Sequence, residues 1–336
     1  MCPRLSPATT LSSQAEWLVA DDIVFSGEVA VITGAGGGLG RAYAHMLGDR
    51  GCRIVVNDVG RPHGENIPIA QVVVDELRAK GIEAVADNHN AISEGGAIIQ
   101  TALDAFGGID IVINNAGIGA GTPMSPNSAE EWRETIDATL QTSIAVTGAS
   151  WPHLVERGGG RIVMTGSPAM FGASTTIPYS ATKSSMYGFT RSVAAAGRRH
   201  GIVANNVMPS AYTRLTRSLP PGPMASLFAD HYPPEDVASF VVWLCHRACP
   251  VSGESFSVGG GRAARVALAE NHGVLVDDQA PESWAAQFDD LMSLEDVVFP
   301  LSMNDEVTWQ AHTLGKLVPA ELAPGGPLDW NRKPRP

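Results

Sequence analysis

Along residues 29–209 the hydrophobic pattern of the chain switches repeatedly between two periods. Short, largely apolar and β-branched runs occur at "VAVIT" (Val29–Thr33), "RIVVND" (Arg53–Asp58), "EAVAD" (Glu83–Asp87), "IDIVINN" (Ile109–Asn115), "GRIVMTG" (Gly160–Gly166) and "IVANNVMP" (Ile202–Pro209). A strand that is apolar on both sides needs cover on both sides. The segments between these runs carry helical spacing: Leu39–Gly51, Ile69–Gly81, Gly95–Gly107, Ser128 to about Glu156, and Pro178–His200. A further helix over Glu235–Arg247 and a short strand at Ser255–Gly260 follow. Strand and helix alternating over short connections predict an α/β fold, a doubly wound parallel sheet of about seven strands with helices on both faces.

The 336 residues then divide into a polar lead-in (1–26), one large domain (27–261) and an extension (262–336). The extension carries one predicted helix, Pro281–Ser293, and a tail rich in Pro and Gly. Hydrophobic residues make up 44% and charged residues 17%, which suits a packed core. The formal net charge of -12 argues against nucleic acid, whose phosphates need clustered Lys and Arg. No apolar run reaches the length needed to cross a bilayer, and the N-terminus lacks the apolar stretch of a secretion signal, so no membrane role is expected. The four cysteines form no C-x-x-C pair, so no metal site is expected. Unpaired thiols suit a reducing, cytoplasmic setting.

"TGAGGGLG" (Thr33–Gly40) joins the first strand to the first helix. Glycines at such a turn let backbone approach a dinucleotide pyrophosphate, and the helix start offers free N–H groups. Asp58 ends the second strand, where a carboxylate can accept both hydroxyls of an adenosine ribose and repel a 2′-phosphate. That favours NAD over NADP, the plain alternative being a turn residue. Tyr179 and Lys183, in "YSATK", stand four apart and share one helical face. "TGSPA" around Ser167 is not a hydrolase elbow, since Ala169 fills the last glycine position.

With these motifs in this order, the chain resembles the short-chain dehydrogenase/reductases. Thr33, Gly34, Gly38 and Gly40 match the T-G-x-x-x-G-x-G turn, and Asn114, Asn115, Ala116 and Gly117 match N-N-A-G. Ser167, Tyr179 and Lys183 match the catalytic serine and Y-x-x-x-K. "ALDAFGGIDIVINNAGI" and "SGESFSVGGGRAARV" followed by "PESWAAQFDDLMSLEDVVFP" are similar to the hydroxyacyl-CoA dehydrogenase part of peroxisomal multifunctional enzyme type 2.

The resemblance implies a Rossmann-type oxidoreductase that interconverts a secondary alcohol and a ketone with NAD. Tyr179 would be the general acid/base. An isolated phenol titrates near 10, and two cations, Lys183 and the oxidised nicotinamide, would lower that value. Ser167 would hold the substrate oxygen. Gly34, Gly38, Leu39, Gly40, Asp58, Asn90, Asn115, Ala116, Gly117, Tyr179, Lys183 and Pro209 would meet the cofactor. Thr139 stands where the family carries an Asn whose backbone carbonyl holds a water in a relay to the lysine. Asn90 replaces the Asp often found beside adenine, and Ser210 replaces the glycine after Pro209. Homo-oligomers, dimers or tetramers, are expected through the helices holding Thr139 and Tyr179.

Two substrate classes remain open. A 3-hydroxyacyl-CoA fits the narrower likeness, and Arg214, Arg217, Arg262 and Arg265 are either partners for its phosphates or solvated arginines. A hydroxysteroid or other bulky alicyclic alcohol fits an apolar lid of Ala211, Leu215, Leu219, Met224 and Phe228. A reading of another class, a non-catalytic NAD(H)-binding sensor, draws on Thr139 alone.

Overall fold

The computed structural model describes residues 23–314 except 62–66, 119–127, 175, 218–219, 277, 279 and 296. The elements run β1 (Val29–Thr33), α1 (Gly38–Gly48), β2 (Arg53–Asn57), α2 (Ile69–Ala79), β3 (Ala84–Asp87), α3 (Gly95–Phe106) and β4 (Ile111–Asn114). Next come α4 (Ser128–Ile136), a π-helical turn (Asp137–Gln141), α5 (Thr142–Glu156), β5 (Gly160–Thr165), a 3₁₀ turn (Pro168–Phe171), α6 (Ile177–Gly197) and β6 (Ile202–Pro209). Helices α7 (Arg214–Arg217), α8 (Pro223–His231) and α9 (Pro234–Cys245) precede β7 (Ser255–Gly259) and β8 (Arg262–Val266). The extension adds β9 (Glu270–Asn271), α10 (Pro281–Ala286), α11 (Phe288–Leu291), β10 (Val297–Val298) and α12 (Met303–Thr313). Among the described residues no helix is long and apolar enough to cross a membrane.

The main sheet has eight strands in the order β3-β2-β1-β4-β5-β6-β7-β8. The first seven run parallel and β8 pairs antiparallel with β7. Side chains alternate across it as the apolar runs require. Ala30 and Ile32 face one core with α1, α2 and α9. Val29 and Val31 face the other with α3, α5 and α6. The order reverses between β1 and β4, and in open parallel sheets such a reversal opens a crevice beyond the strand ends.

Three features differ from the sequence expectation. The domain boundary expected at Gly261 falls inside a hairpin: Gly260 (φ +60°) and Gly261 (φ +70°) form its two-residue turn and β8 extends the sheet. The helix expected over Pro281–Ser293 is two short helices, α10 and α11. The helix expected from Ser128 to Glu156 is interrupted at residues 137–141, where the Thr142 N–H reaches back five residues to the Asp137 carbonyl.

The extension is tied to α6. The Tyr187 hydroxyl accepts from the Leu268 N–H at 3.1 Å and from Arg191 Nη1 at 2.7 Å. Arg191 Nη2 donates to the Pro300 carbonyl at 2.8 Å. Asn271 Nδ2 bridges the carbonyls of Leu291 and Ser293, each at 2.8 Å, and the rings of His272 and Trp309 lie 4.8 Å apart.

Ile54, at the centre of β2, is fully buried in the α1/α2/α9 core. Ile54→Ala is expected to cost about 2–5 kcal/mol, read as a lower urea midpoint at unchanged m-value.

Candidate active site

The crevice between β1 and β4 is held by one threonine. Thr33 Oγ1 accepts from the N–H groups of Asn115 (3.1 Å) and Ala116 (3.0 Å) and donates to the Ile113 carbonyl at 3.4 Å. Asn115 Nδ2 donates in return to the carbonyls of Thr33 (2.9 Å) and Gly34 (3.1 Å). Asn114 is buried and donates to Thr147 Oγ1 on α5 at 3.0 Å. The N-N-A-G stretch therefore shapes the glycine turn from behind.

That turn is shaped for close approach. Gly34 sits at φ +63°, and a Cβ there would stand 2.9 Å from the Ala116 Cα. A Cβ on Gly40 would stand 2.4 Å from the Gly34 carbonyl oxygen, so α1 packs directly on the turn. No side chain caps α1, whose preceding residue is Gly37. Its first N–H groups therefore face the crevice as free donors. Across the turn, Asp58 Oδ2 accepts from the Gly36 N–H at 3.0 Å and Oδ1 from the Gly60 N–H at 2.8 Å. Each oxygen keeps a lone pair, since a carboxylate has about four acceptor sites. Free helix-end donors beside a fixed, partly exposed carboxylate fit the pyrophosphate and ribose of a dinucleotide.

Next to Asp58, the Asp87 side chain is buried under four donors: Asn57 Nδ2 (2.7 Å), Thr101 Oγ1 (2.7 Å), the His89 N–H (3.1 Å) and the His89 ring (2.8 Å to Nδ1). The hydrogen bond to Asp87 holds the His89 imidazole above its ordinary pKa. Asn90 is exposed and spends its Oδ1 on the Ile92 N–H at 2.9 Å, at the entrance to α3. His89 was not singled out from sequence. Its signal was a histidine two residues past an acidic strand end.

At the other side of the crevice, Ser167, Tyr179 and Lys183 come together. Ser167 follows β5, and its Oγ accepts from the Ala169 N–H at 3.1 Å. Ser167 is also a neighbour of Tyr179, which stands in the first turn of α6, and acts to lower its pKa. Lys183, one turn on, is 4% exposed and donates from Nζ to the Thr165 carbonyl at 2.6 Å. Nζ lies 5.7 Å from the centroid of the Tyr179 ring. Thr139 reaches the same place from the π-helical turn. A Cβ on Gly117 would stand 2.9 Å from Thr139 Oγ1 and 3.6 Å from Lys183 Nζ.

The lowered phenol expected from sequence draws on two cations, Lys183 and the oxidised nicotinamide; in the protein alone burial dominates. Burial raises the Tyr179 pKa, and the Ser167 hydrogen bond only partly offsets it. Burial also lowers Lys183 to about 8. The lysine therefore releases its proton before the phenol does, and its charge is gone where it would help most.

Other expected residues are placed as follows. Pro209 ends β6, and Ser210 donates its N–H to the Val258 carbonyl at 2.8 Å. Ala211, 4% exposed, belongs to the core and not to an exposed lid, because the chain leaving β6 still packs on the sheet. Leu215 and Met224 are exposed on α7 and α8, and Phe228 stacks on Tyr232 at 5.0 Å. Leu219 lies outside the described residues. Arg265 is held by Glu254 through two 2.7 Å bonds, and Arg217 lies over the Tyr212 ring at 5.0 Å. Arg214 and Arg262 are exposed. Two neighbours escaped the sequence reading. Phe171, four residues past Ser167, is 70% exposed, and the Thr213 methyl lies 3.4 Å from where a Gly38 Cβ would stand.

Comparison with known proteins identifies the family. Residues 28–221 match the family model for short chain dehydrogenases. The chain is 38% identical over 262 residues to peroxisomal multifunctional enzyme type 2 of Mus musculus, covering 77% of this chain but only 35% of the mouse protein. It is 34% identical over 245 residues to a (2S)-[(R)-hydroxy(phenyl)methyl]succinyl-CoA dehydrogenase subunit of Thauera aromatica, covering 70% of this chain and 96% of that one. Among solved structures it is similar to a 7α-hydroxysteroid dehydrogenase complexed with NADH and 7-oxo glycochenodeoxycholic acid, with a TM-score of 0.65 and 27% identity over 72% of this chain and 96% of that chain. The chain belongs to the short-chain dehydrogenase family.

Proposed function

We propose that this chain is an NAD-dependent dehydrogenase that interconverts a secondary alcohol and a ketone, with a 3-hydroxyacyl-CoA as its substrate class. The observation that carries the reading is the convergence of Ser167, Tyr179 and Lys183 at one end of the glycine-lined crevice. The CoA-ester dehydrogenase of Thauera aromatica, similar over most of its length, supports the substrate class.

NAD, when bound, supplies the hydride acceptor and a positive charge. Asp58 would hold the adenosine ribose, the turn at Gly34–Gly40 and the start of α1 the pyrophosphate, and Lys183 the nicotinamide ribose. Asn90 and His89 would face the adenine. Tyr179 takes the proton of the substrate hydroxyl during oxidation and returns it during reduction. Ser167, beside that phenol, holds the substrate oxygen in line. With Tyr179 raised and Lys183 near 8 in the protein alone, the phenol becomes a base only when a further cation is near. Coupling the base to cofactor binding in this way ties proton removal to hydride acceptance.

A bulky alicyclic alcohol is the second substrate class. The bile-acid derivative in the 7α-hydroxysteroid dehydrogenase and the exposed Phe171, Leu215 and Met224 favour it. We also propose a homodimer or homotetramer joined through α5 and α6, where Ile144 is exposed. Free buried thiols at Cys52, Cys245 and Cys249 support a reducing, cytoplasmic setting.

A dehydrogenase screen with NAD and NADP, run on free alcohols and CoA thioesters side by side, tests the reading. Turnover of a CoA thioester with NAD is the expected result. Binding of NADH with no alcohol oxidised would favour the non-catalytic sensor. Tyr179→Phe is expected to lower kcat by about 10²–10⁴ at unchanged cofactor affinity. Asp58→Ser is expected to weaken NAD binding about tenfold and to narrow its margin over NADP, read by calorimetric titration.

Lys183 gives a stability signature of the same site. Its ordinary pKa is 10.5 and its folded value about 8. Between those values the unfolded chain holds a proton that the folded one has released, so stability rises with pH across that window. Lys183→Met is expected to be more stable than the parent by up to about 3 kcal/mol at pH 7. The gain should fade as the pH climbs from about 8 to 10.5, measured by urea unfolding across that range.

A further inference from the structure

Coenzyme A carries its phosphates at the far end of a long pantetheine arm. An acyl-CoA that reacts inside the crevice therefore has its negative charges at the rim. In a chain of net charge -12, such a ligand approaches against the overall field and needs local cations. Arg265 is spent on Glu254, and Arg262 stands on the edge strand β8, with β6 and β7 between it and the glycine turn. Arg214 and Arg217 are placed differently. Both are exposed, both lie on α7, and at this spacing they share a helical face. Among the described residues neither is paired with a carboxylate.

The turn that carries them is pinned in place. Thr216 Oγ1 accepts the Thr213 N–H at 2.7 Å and donates to the carbonyl of Ala211, a core residue, at 2.8 Å. The Arg217 N–H closes the turn on the Thr213 carbonyl at 2.9 Å. The Thr213 methyl lies 3.4 Å from the point a Gly38 Cβ would occupy, so α7 begins against the glycine turn, at the rim of the crevice. The Arg217 guanidinium lies over the Tyr212 ring at 5.0 Å, and Tyr212 is held in turn by its N–H on the Tyr232 carbonyl at 2.6 Å. Stacking takes one face of a guanidinium and leaves its N–H edge for a planar, two-point contact with a phosphate. The dinucleotide has a weaker claim on these donors. Its pyrophosphate is met by the free N–H groups at the start of α1, and its ribose by the Asp58 carboxylate.

The geometry points to Arg214 and Arg217 as a phosphate-binding pair that grips the nucleotide end of an acyl-CoA substrate at the rim of the crevice. The inference rests on the dehydrogenase reading and narrows its substrate to thioesters that carry the nucleotide. Free alcohols offer these two side chains nothing to hold. A phosphate ester is common to coenzyme A and to the dinucleotide, so the test separates the two sources.

The test uses the full chain, and its first arm needs no turnover. Free coenzyme A and NADH are titrated separately by calorimetry. Arg214→Gln and Arg217→Gln are each expected to weaken coenzyme A about tenfold while NADH stays within about twofold of the parent. Added salt is expected to weaken coenzyme A binding to the parent, and less steeply when both arginines are replaced. Arg50→Gln removes an exposed cation just past the far end of α1 and is expected to match the parent. A parent that does not bind coenzyme A, arginine variants with parental affinity, or an equal loss in Arg50→Gln overturns the inference. A loss for NADH as large as that for coenzyme A also overturns it and gives the pair to the dinucleotide. The second arm compares a 3-hydroxyacyl-CoA with the same acyl group on N-acetylcysteamine, which has no phosphate. The ratio of their kcat/KM values is expected to fall about tenfold in each variant, through KM. A parental ratio overturns the inference. The binding arm stands even if no alcohol is oxidised, and turnover of the phosphate-free thioester stands even if the arginines bind nothing, so failure of the inference and failure of the dehydrogenase reading are distinguishable.

Discussion

The hydroxyl of Thr33 is the joint on which the crevice turns. It receives two backbone N–H groups from the chain leaving β4 and donates one bond back to β4 itself. A hydroxyl can do no more than that. The bonds fix the separation of β1 and β4 at the one place where the sheet order reverses. Asn115 then returns its amide to the same turn, so the glycines and the N-N-A-G segment are set against each other as one unit. Gly117, two residues further, is thereby carried to the side of Thr139 and Lys183. The glycine turn and the Tyr179–Lys183 end of the crevice are thus linked through a short stretch of backbone.

Much of this was legible in the sequence because burial on both faces leaves a plain mark. Val29–Thr33 reads as a strand since nothing polar interrupts it until its end, and Ile202–Pro209 because apolar residues flank its central Asn205 and Asn206 on both sides. Tyr179 and Lys183 were legible because a helix repeats every 3.6 residues, which puts the fifth residue of Y-S-A-T-K beneath the first. β8 was harder. Its residues, Arg262–Val266, mix arginines with small apolar side chains on a sheet edge. The Gly-Gly pair before it was the available hairpin signal. The π-helical turn at residues 137–141 leaves no comparable mark in the sequence, since it depends on which carbonyl a single N–H selects. The depth of burial of Tyr179 and Lys183 was also out of reach, because it is a property of the assembled site.

The buried lysine shows how function and durability pull against each other. An ammonium enclosed by protein with one carbonyl partner is an expensive thing to fold around. Its presence makes sense where a mobile proton is needed, and its lowered pKa puts its own proton within reach of neutral solution. The phenol is raised by the same enclosure. The two groups share one cause and are displaced in opposite senses, one a cation losing its charge and the other an acid refusing to gain one.

Helix α6 serves two structures at once. Its first turns carry Tyr179 and Lys183, and its later turns carry Tyr187 and Arg191, which grip Leu268 and Pro300 of the extension. Lys183 and Tyr187 are one turn apart on that rod. Anyone building a chimaera by transplanting the extension onto a related scaffold would need to move that tyrosine and arginine with it, or the graft would arrive without its handle on the helix.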